Sequence, residues 1–247
     1  YREGLSGWLF GVIFIFAAVF LVSIAVNPLY VVIAILVIAA IFVFLNFYTI
    51  QRNVMYIIAI VLTVGLLSAL SYGSPYILTK LPKHQRERIE VLYKGEKAFR
   101  DTSGYNSLYS KTAIGSGGLV GKGYKQGSVT QGKFVPEQET DYIFCTVGEE
   151  WGFIGSTVLI LCYAIFIGRI YYLAENQKST FNRVFGYCFA SILLIHFAIN
   201  LGMVMGLFPT VGIPLPFFSY GGSSLLAFSI MTFIFFKLNY ADKNSLV

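Results

Sequence analysis

The chain has 247 residues with a formal net charge of +6 at pH 7, and 56% of them are hydrophobic, 17% aromatic and only 12% charged. Because a soluble domain carries about 25% charged residues, this composition excludes a soluble globular protein and predicts an integral membrane protein. The apolar runs extend over about 20 residues, enough for a helix to cross roughly 30 Å of hydrocarbon, and they lack the alternation of barrel strands. We therefore expect an all-α, polytopic membrane fold.

About six apolar stretches have the length and composition of membrane spans, at 8–26, 30–47, 54–71, 153–173, 184–207 and 223–236. Basic residues of short loops stay on the cytoplasmic side and so orient the spans. The short-loop residues that fall together on this side are Arg2, Arg52, Lys178, Arg183, Lys237 and Lys243. The segment 73–141 is then a large extracytoplasmic loop, in which 85–92 and 104–110 are predicted to form short interfacial helices.

Asp141 stands one residue before a new apolar segment, 142–145, at the depth where water gives way to lipid. Two interpretations of its carboxylate are open. Thr140 and Asp141 ahead of an apolar run are typical of a helix N-cap. A partly buried carboxylate also has a raised pKa and accepts a proton more readily, which makes Asp141 a candidate general base. Glu149 and Glu150, just ahead of the span predicted at 153–173, are interpreted as favourable charges at a helix N-terminus.

The stretch GSGGLVGKG at 115–123 is rich in glycine and contains one lysine. It does not match a Walker A loop, because Ser116 stands where that motif has its first glycine and Gly123 follows Lys122. We expect its backbone to approach a ligand closely and its amides to hold oxyanions, with the Lys122 ammonium nearby. No metal site is expected from the three cysteines, which lie in or beside apolar helices without a CxxC or Cys/His cluster.

Prolines and glycines interrupt the apolar pattern in FPTVGIPLPFFSYGGSS at 208–224. Irregular backbone at membrane depth persists only where protein or a wet cavity shields it, so this segment is predicted to face a cavity, with Ser219, Ser223 and Ser224 satisfying freed backbone groups. The alternative is a rigid hairpin with a Gly-rich packing face. His196 and Asn200 share one face of the fifth span, where hydrogen bonds to a neighbouring helix are favoured over a proton relay.

Several ordered motifs of the chain are familiar: QRERI at 85–89, GYN at 104–106, AIGSGG at 113–118, GKG at 121–123, VPE at 135–137, TDYIF at 140–144, VGEE at 147–150, NLGM at 200–203 and GIPLPFFSYGGSS at 212–224. In them the chain resembles the SEDS family (shape, elongation, division and sporulation) of peptidoglycan glycosyltransferases, and the last motif resembles its elongation branch more than its division branch. Three positions depart from the usual pattern: 93–95, 127–129 and Glu139.

This resemblance implies a fold of ten spans, of which those seen here would be the last six, and thus one partial membrane domain over 1–247 that contains the 73–141 loop. The chain begins with Tyr1 rather than Met, so we expect it to start inside a longer protein. The resemblance implies a multi-pass protein of the bacterial cytoplasmic membrane with its active site on the extracytoplasmic side. It also implies a class B penicillin-binding protein as partner, and no nucleic acid.

The resemblance further implies polymerisation of lipid II, in which a sugar 4-hydroxyl attacks an anomeric carbon and releases undecaprenyl pyrophosphate, with Asp141 as the base. A pyrophosphate leaves already ionised and needs cations rather than a second carboxyl acid. The positions expected to contact substrate are Gln85, Arg88, Ser116, Gly117, Gly118, Lys122, Glu137, Thr140, Pro214, Pro216 and Ser219. A divalent cation, Mg²⁺ or Mn²⁺, fits this chemistry, although no ligand cluster marks its site.

Two other functions compete with a transferase. A flippase of the same lipid would suit a polar-lined cavity beside a broken segment, but it should keep charges in the middle of its helices. Here the spans are nearly free of charge and the acids lie at the extracytoplasmic rim, which favours chemistry at the rim. A non-catalytic scaffold of the cell-wall machinery would need the transpeptidase partner but not Asp141.

Overall fold

The computed structural model describes residues 7–45, 54–100, 102 and 104–244, and within these ranges the chain forms helices and no β-strand. The predicted all-α class is therefore confirmed. The α-helices, in chain order, are α1 Gly7–Ala25, α2 Pro28–Leu45, α3 Val54–Lys80, α4 Lys83–Lys94, α5 Tyr105–Gly117, α6 Ser128–Gln131, α7 Ile143–Glu175, α8 Thr180–Val204 and α9 Gly222–Asn244, with a short 3₁₀ helix at Glu96–Phe99.

Five of the described helices are long and apolar enough to cross a membrane: Pro28–Leu45, Ile57–Lys80, Ile143–Glu175, Thr180–Val204 and Gly222–Asp242. They confirm a multi-pass membrane protein. Helix α1 coincides with the remaining predicted span at 8–26. The predicted end of the second span at Phe47, and the orienting residues Arg2 and Arg52, lie outside the described residues.

Helices are also present at the two segments that were predicted to form short interfacial helices, and both are longer than expected. Their interfacial position stays a prediction. The segment 85–92 falls within α4, and 104–110 overlaps α5.

The chain divides into two compact units, Tyr1–Arg86 and Glu87–Val247. The prediction of one domain over 1–247 with a 73–141 loop stays a prediction.

In the first unit, α1 and α2 both pack against α3. Its small apolar core contains Val31, Ile35 and Leu67. A buried hydrogen bond of 3.0 Å from Ser23 Oγ to Ser71 Oγ joins α1 to α3. Most other side chains of these helices whose exposure the structure describes are exposed and apolar, which suits a lipid-facing surface.

In the second unit, α7 packs mainly against α8 and α5, and α9 packs against α8. At one end of this unit, Asp242 near the end of α9 accepts hydrogen bonds of 2.8 and 3.2 Å from the backbone amides of Lys178 and Ser179 in the α7–α8 turn. The basic residues Lys178 and Arg183 therefore lie at the same end of the unit as the end of α9. The candidate site lies in the segments that join these helices at their other ends.

The span predicted at 153–173 lies in α7, which extends from Ile143 to Glu175 and is divided by the non-helical residue Gly152, so that its second helical part begins at the predicted start, Phe153. Glu149 and Glu150 lower the hydropathy of the first turns, yet both side chains are buried inside α7. They lie just before the non-helical residue Gly152, so they precede the helical part that begins at Phe153. Their favourable interaction with the N-terminus of that part stays a prediction. Tertiary partners of the Glu149 carboxylate, described below, make its burial possible.

Helix α7 is broken at Gly152, which has φ 65° and ψ −160°. At this break the Gly-rich loop after α5 bonds to the helix backbone through four hydrogen bonds: Lys122 N to Glu149 O and Gly123 N to Glu150 O, both 3.0 Å, Phe153 N to Gly118 O at 2.9 Å, and Ile154 N to Leu119 O at 3.1 Å. The groups freed by the break are thus satisfied inside the protein, as burial near the membrane requires.

Gly152→Ala is expected to prevent this packing. Its backbone conformation is almost exclusive to glycine and costs any other residue about 1–3 kcal/mol. A Cβ would also lie 2.8 Å from Leu119 O. We expect the yield of folded protein in detergent, measured by size-exclusion chromatography, to fall several-fold. Gly168→Ala in the same helix is the control, because a Cβ there meets no atom within 4 Å and should be tolerated. Equal yields of the two variants would contradict this account.

Candidate functional site

The Asp141 carboxylate lies just before α7 and is partly buried. The helix N-cap is Tyr142 and no side chain caps it, so the N-cap interpretation of Asp141 is wrong. No donor in the described part of the chain hydrogen-bonds this carboxylate. Burial raises the pKa of Asp141 above its ordinary value, and repulsion from the Glu137 carboxylate raises it further. These are the properties of a group that can accept a proton.

The non-helical segment between α8 and α9, residues 205–221, passes directly over Asp141. Gly212 has φ 81°, and a Cβ at this position would lie 3.0 Å from Asp141 Oδ2. The Asp141 carboxylate therefore lies against the backbone of Gly212, a residue without a side chain. Two hydrogen bonds attach the segment to the residues around Asp141: Tyr220 N to Glu139 O at 2.8 Å, and one of 2.9 Å between Tyr142 Oη and Thr210 Oγ1.

Side chains form hydrogen bonds with backbone groups of the same segment, as the sequence predicts for Ser219. The Leu215 amide donates to Ser219 Oγ at 2.7 Å, and the Tyr163 hydroxyl donates to Pro216 O. Pro216 is fully buried and Pro214 is partly buried. Both prolines and Ser219 thus shape the segment, and their predicted contact with substrate stays a prediction.

Arg88 on α4 reaches the same segment. Its Nη1 donates to Thr210 O at 3.0 Å, and its side chain is exposed. Among the residues that the structure describes, no acid pairs with Arg88. Most of the five guanidinium N–H groups therefore remain available to bind an anion. The structure brings Arg88 and Asp141 to the same stretch of backbone, residues 210–212.

Lys122, by contrast, is bound within the protein. Its Nζ donates to Glu149 Oε1 at 2.7 Å and to Ser128 Oγ at 2.9 Å. The Glu149 side chain has no exposed surface. Its carboxylate also accepts hydrogen bonds from the backbone amides of Val129, at 3.0 Å, and Thr130, at 2.8 Å. The predicted contact of Lys122 with pyrophosphate stays a prediction, and only the remaining ammonium N–H could make it without breaking this network.

The Gly-rich stretch packs against its own chain. The amides of Gly121, Lys122 and Gly123 are bonded to backbone carbonyls, so these three amides are not available to an oxyanion. For the rest of the stretch the expectation stays a prediction. A Cβ at Gly117 would overlap Gly148 O, which explains that glycine by close approach to α7. The predicted substrate contacts of Gly117 and Gly118 stay predictions.

Four other predicted binding residues differ in their surroundings. Ser116 Oγ donates to Ala113 O at 2.8 Å and to Glu149 Oε1 at 3.3 Å, which places it in the Lys122–Glu149 network. Glu137 and Thr140 form an exposed turn before Asp141, with Thr140 Oγ1 donating to Glu137 Oε2 at 3.1 Å. Gln85 lies in the first turn of α4, in the first unit.

The sequence did not single out Thr210, Gly212 or Tyr142, which the structure places around Asp141 and Arg88. The sequence signal for Thr210 and Gly212 is the break in the apolar pattern at 208–224, and that for Tyr142 is the start of the apolar segment 142–145. Over the described ranges, no group of three or more His, Cys, Asp or Glu side chains is arranged to hold a metal ion.

Two apolar grooves run beside α7, next to the 205–221 segment. One has a volume of about 540 Å³ and includes Val120, Trp151, Val158 and Phe218 in its lining. The other, of about 330 Å³, is lined by Cys162, Tyr163, Phe166, Phe217 and Thr232. Each groove is lined in part by the 205–221 segment, through Phe217 or Phe218.

Comparison with known proteins matches residues 2–244 to the FtsW/RodA/SpoVE family, described as cell cycle protein. The peptidoglycan glycosyltransferase MrdB of Escherichia coli K12 is 42% identical over 143 residues, 58% of this chain and 38% of the relative. RodA of Treponema pallidum, also named a peptidoglycan glycosyltransferase, is 32% identical over 171 residues, 69% of this chain and 40% of the relative. The probable peptidoglycan glycosyltransferase FtsW of Coxiella burnetii is 34% identical over 190 residues, which cover 76% of this chain and 48% of the relative.

The chain is also similar to a protein chain in a solved structure. That structure comes from work on a peptidoglycan synthase complex that coordinates polymerization and crosslinking, and it aligns with a TM-score of 0.57 and 28% identity over 73% of this chain and 49% of that chain. The chain spans less than half the length of the relatives and of the solved chain that it matches.

Lys122→Met tests whether the ammonium serves Glu149. The variant leaves a fully buried carboxylate without its cation, and breaking such a pair costs about 3–5 kcal/mol, so we expect a large fall in the unfolding temperature of the purified protein. The double variant Lys122→Met with Glu149→Gln should recover part of this loss, because no charge is left unpaired. Lys133→Met, at an exposed lysine, is the control. If Lys122→Met were as stable as that control, the pair would not hold the loop.

Proposed function

Because the chain belongs to the FtsW/RodA/SpoVE family of cell cycle proteins, we propose that it is part of a peptidoglycan glycosyltransferase that polymerises lipid II and releases undecaprenyl pyrophosphate. Relatives named as peptidoglycan glycosyltransferases support this activity. The observation that carries it is the free, partly buried Asp141 carboxylate facing backbone that Arg88 also contacts. The motif at 212–224 and the matches to MrdB and RodA favour a role in cell elongation rather than in division.

In the proposed reaction, Asp141 removes the proton of the acceptor sugar's 4-hydroxyl. The oxygen forms a bond to the anomeric carbon of the donor as the bond from that carbon to the pyrophosphate oxygen breaks. The electron pair of the broken bond leaves with the pyrophosphate, and the proton stays on the Asp141 carboxyl. One base suffices, because the leaving group is already ionised and needs no acid.

Arg88 would stabilise the charge that develops on the pyrophosphate, through charge-assisted hydrogen bonds from its available N–H groups. A divalent cation, Mg²⁺ or Mn²⁺, would supply further positive charge there. The acids nearest to the site are Asp141 and Glu137, and the described residues contain no cluster of three ligands that would fix such an ion. No step of this mechanism therefore runs through a metal.

The polyprenyl tail of the substrate would lie in the apolar grooves beside α7. Each buried methylene contributes about 0.8 kcal/mol, so a long tail would be held firmly while the head group stays at the rim. The same grooves weigh against a flippase, because their lining offers almost no polar group to a translocating head group. A scaffold without activity would have no use for an unpartnered carboxylate at Asp141.

The proposed location is the bacterial cytoplasmic membrane, with Asp141 on the extracytoplasmic side, where lipid-linked sugars are joined outside the cell. The proposed partner is a class B penicillin-binding protein that crosslinks the strands. The similarity to a chain of a peptidoglycan synthase complex supports such a partnership.

Asp141→Asn is expected to abolish polymerisation while leaving membrane insertion and partner binding intact, because it removes the base with almost no change in volume. The assay is glycan strand formation from purified lipid II by the full-length protein with its penicillin-binding partner, whose own glycosyltransferase activity is absent or inactivated. Glu139→Gln, an exposed acid two residues away, is the control and should stay active. Equal polymer from wild type and Asp141→Asn would exclude Asp141 as the base. No polymer from a folded wild-type complex would favour the flippase or the scaffold.

Glu137→Gln is expected to move the acid limb of the pH–rate profile to lower pH. Asp141 acts in its ionised form, so the rate falls as the pH drops through its raised pKa. Removing the Glu137 charge removes one cause of that rise and lowers the pKa. The measurement is the initial rate at saturating lipid II as a function of pH, with Glu139→Gln as the control that should not move the limb. An unmoved limb in Glu137→Gln would contradict the repulsion.

A further inference from the structure

Asn200 on α8 is the one side chain that contacts both the backbone of Asp141 and the segment facing it, among the hydrogen bonds of the described residues. Its side chain has no exposed surface. Asn200 Nδ2 donates to Asp141 O at 2.8 Å and to Ile213 O at 2.7 Å. A single buried amide group thus joins three parts of the second unit.

The orientation of this amide is fixed by its partners. Backbone carbonyls only accept hydrogen bonds, so both positions require the N–H donors of the side chain, and the opposite orientation would place Asn200 Oδ1 against carbonyl oxygens. In the observed orientation, Oδ1 is buried and has no partner among the described residues. An unsatisfied buried acceptor is unfavourable, and such exceptions to polar satisfaction are concentrated at functional sites.

The two carbonyls that Asn200 holds belong to the two sides of the Asp141 site. One is the carbonyl of Asp141 itself. The other is that of Ile213, the residue after Gly212, whose backbone faces Asp141 Oδ2. Asn200 belongs to neither segment, yet it bonds directly to the backbone of Asp141 and to the backbone next to Gly212.

We propose that Asn200 is a positioning residue, which fixes the separation of the Asp141 carboxylate from the 212–213 backbone and so the slot that the acceptor hydroxyl must enter. This inference rests on the proposed function, in which Asp141 is the base. Asn200 touches no substrate in this account. It acts by holding the base where the proton must be removed, and small displacements of such a group are costly to the rate.

The test compares variants of the full-length protein with its penicillin-binding partner, acting on purified lipid II. Asn200→Leu keeps the shape of the side chain and removes both donors. We expect its kcat to fall about 100-fold while KM stays within about twofold, because substrate still binds but the base is displaced. Asn200→Gln keeps both donors on a longer stem and should recover about tenfold of that loss.

Ser110→Ala is the matched control. Ser110 is also fully buried, and its Oγ donates to the carbonyl of Val204 at the end of the same helix, at 2.7 Å. This variant removes a buried donor to a carbonyl without touching Asp141 or Ile213. We expect it to lower the unfolding temperature, with kcat per folded molecule within about twofold of wild type, since a general loss of packing does not displace the base.

The outcomes separate this inference from the proposed function. If Asp141→Asn is inactive but both Asn200 variants behave like Ser110→Ala, the positioning role is overturned and the base stands. If Asp141→Asn polymerises as wild type does, the base is excluded and the positioning role is overturned with it. If Asn200→Leu does not fold, Asn200→Gln decides: a lowered kcat at unchanged KM supports the proposal, and wild-type kinetics overturn it.

Discussion

The backbone groups that Gly152 releases from α7 must find partners away from water, and they find them in the Gly-rich loop after α5. Because this loop then lies against the helix, Lys122 comes within reach of the buried Glu149 carboxylate. The first turns of α7 can carry an acid only because that pairing and two further backbone amides satisfy it. The Gly-rich loop thereby fixes the part of α7 that follows Asp141 on one side of the site.

The 205–221 segment holds the same region from the other side. It is irregular because its prolines disfavour a helix and Gly206 and Gly212 have positive φ. Its backbone groups are satisfied in part by its own Ser219 and in part by Tyr163 of α7. Asn200, Tyr142 and Thr210 attach it to the residues next to Asp141. The Asp141 carboxylate itself accepts no hydrogen bond from the described residues. The contacts that order its surroundings therefore leave its oxygens available for the reaction.

Hydropathy predicted the helical class and most of the spans, because long apolar helices leave a signal that needs no tertiary information. It did not predict the helical part of α7 before Gly152, where the buried Glu149 carboxylate pairs with Lys122, 27 residues earlier in the chain. Asp141 was found from its position at the edge of an apolar run. The sequence did not predict the close approach of Gly117 to Gly148, because a glycine that lets a ligand approach and one that lets the chain's own backbone approach have the same sequence signal.

The two cations that the sequence offered for the leaving pyrophosphate differ in what it would cost to use them. Moving Lys122 would leave the Glu149 carboxylate buried without its partner, a loss of about 3–5 kcal/mol that the phosphate contact would have to offset. Arg88 is exposed, and its bond to Thr210 O occupies only one of five N–H groups. Arg88 can therefore bind an anion without leaving the backbone that faces Asp141, and this favours it as the group that stabilises the leaving charge beside the base.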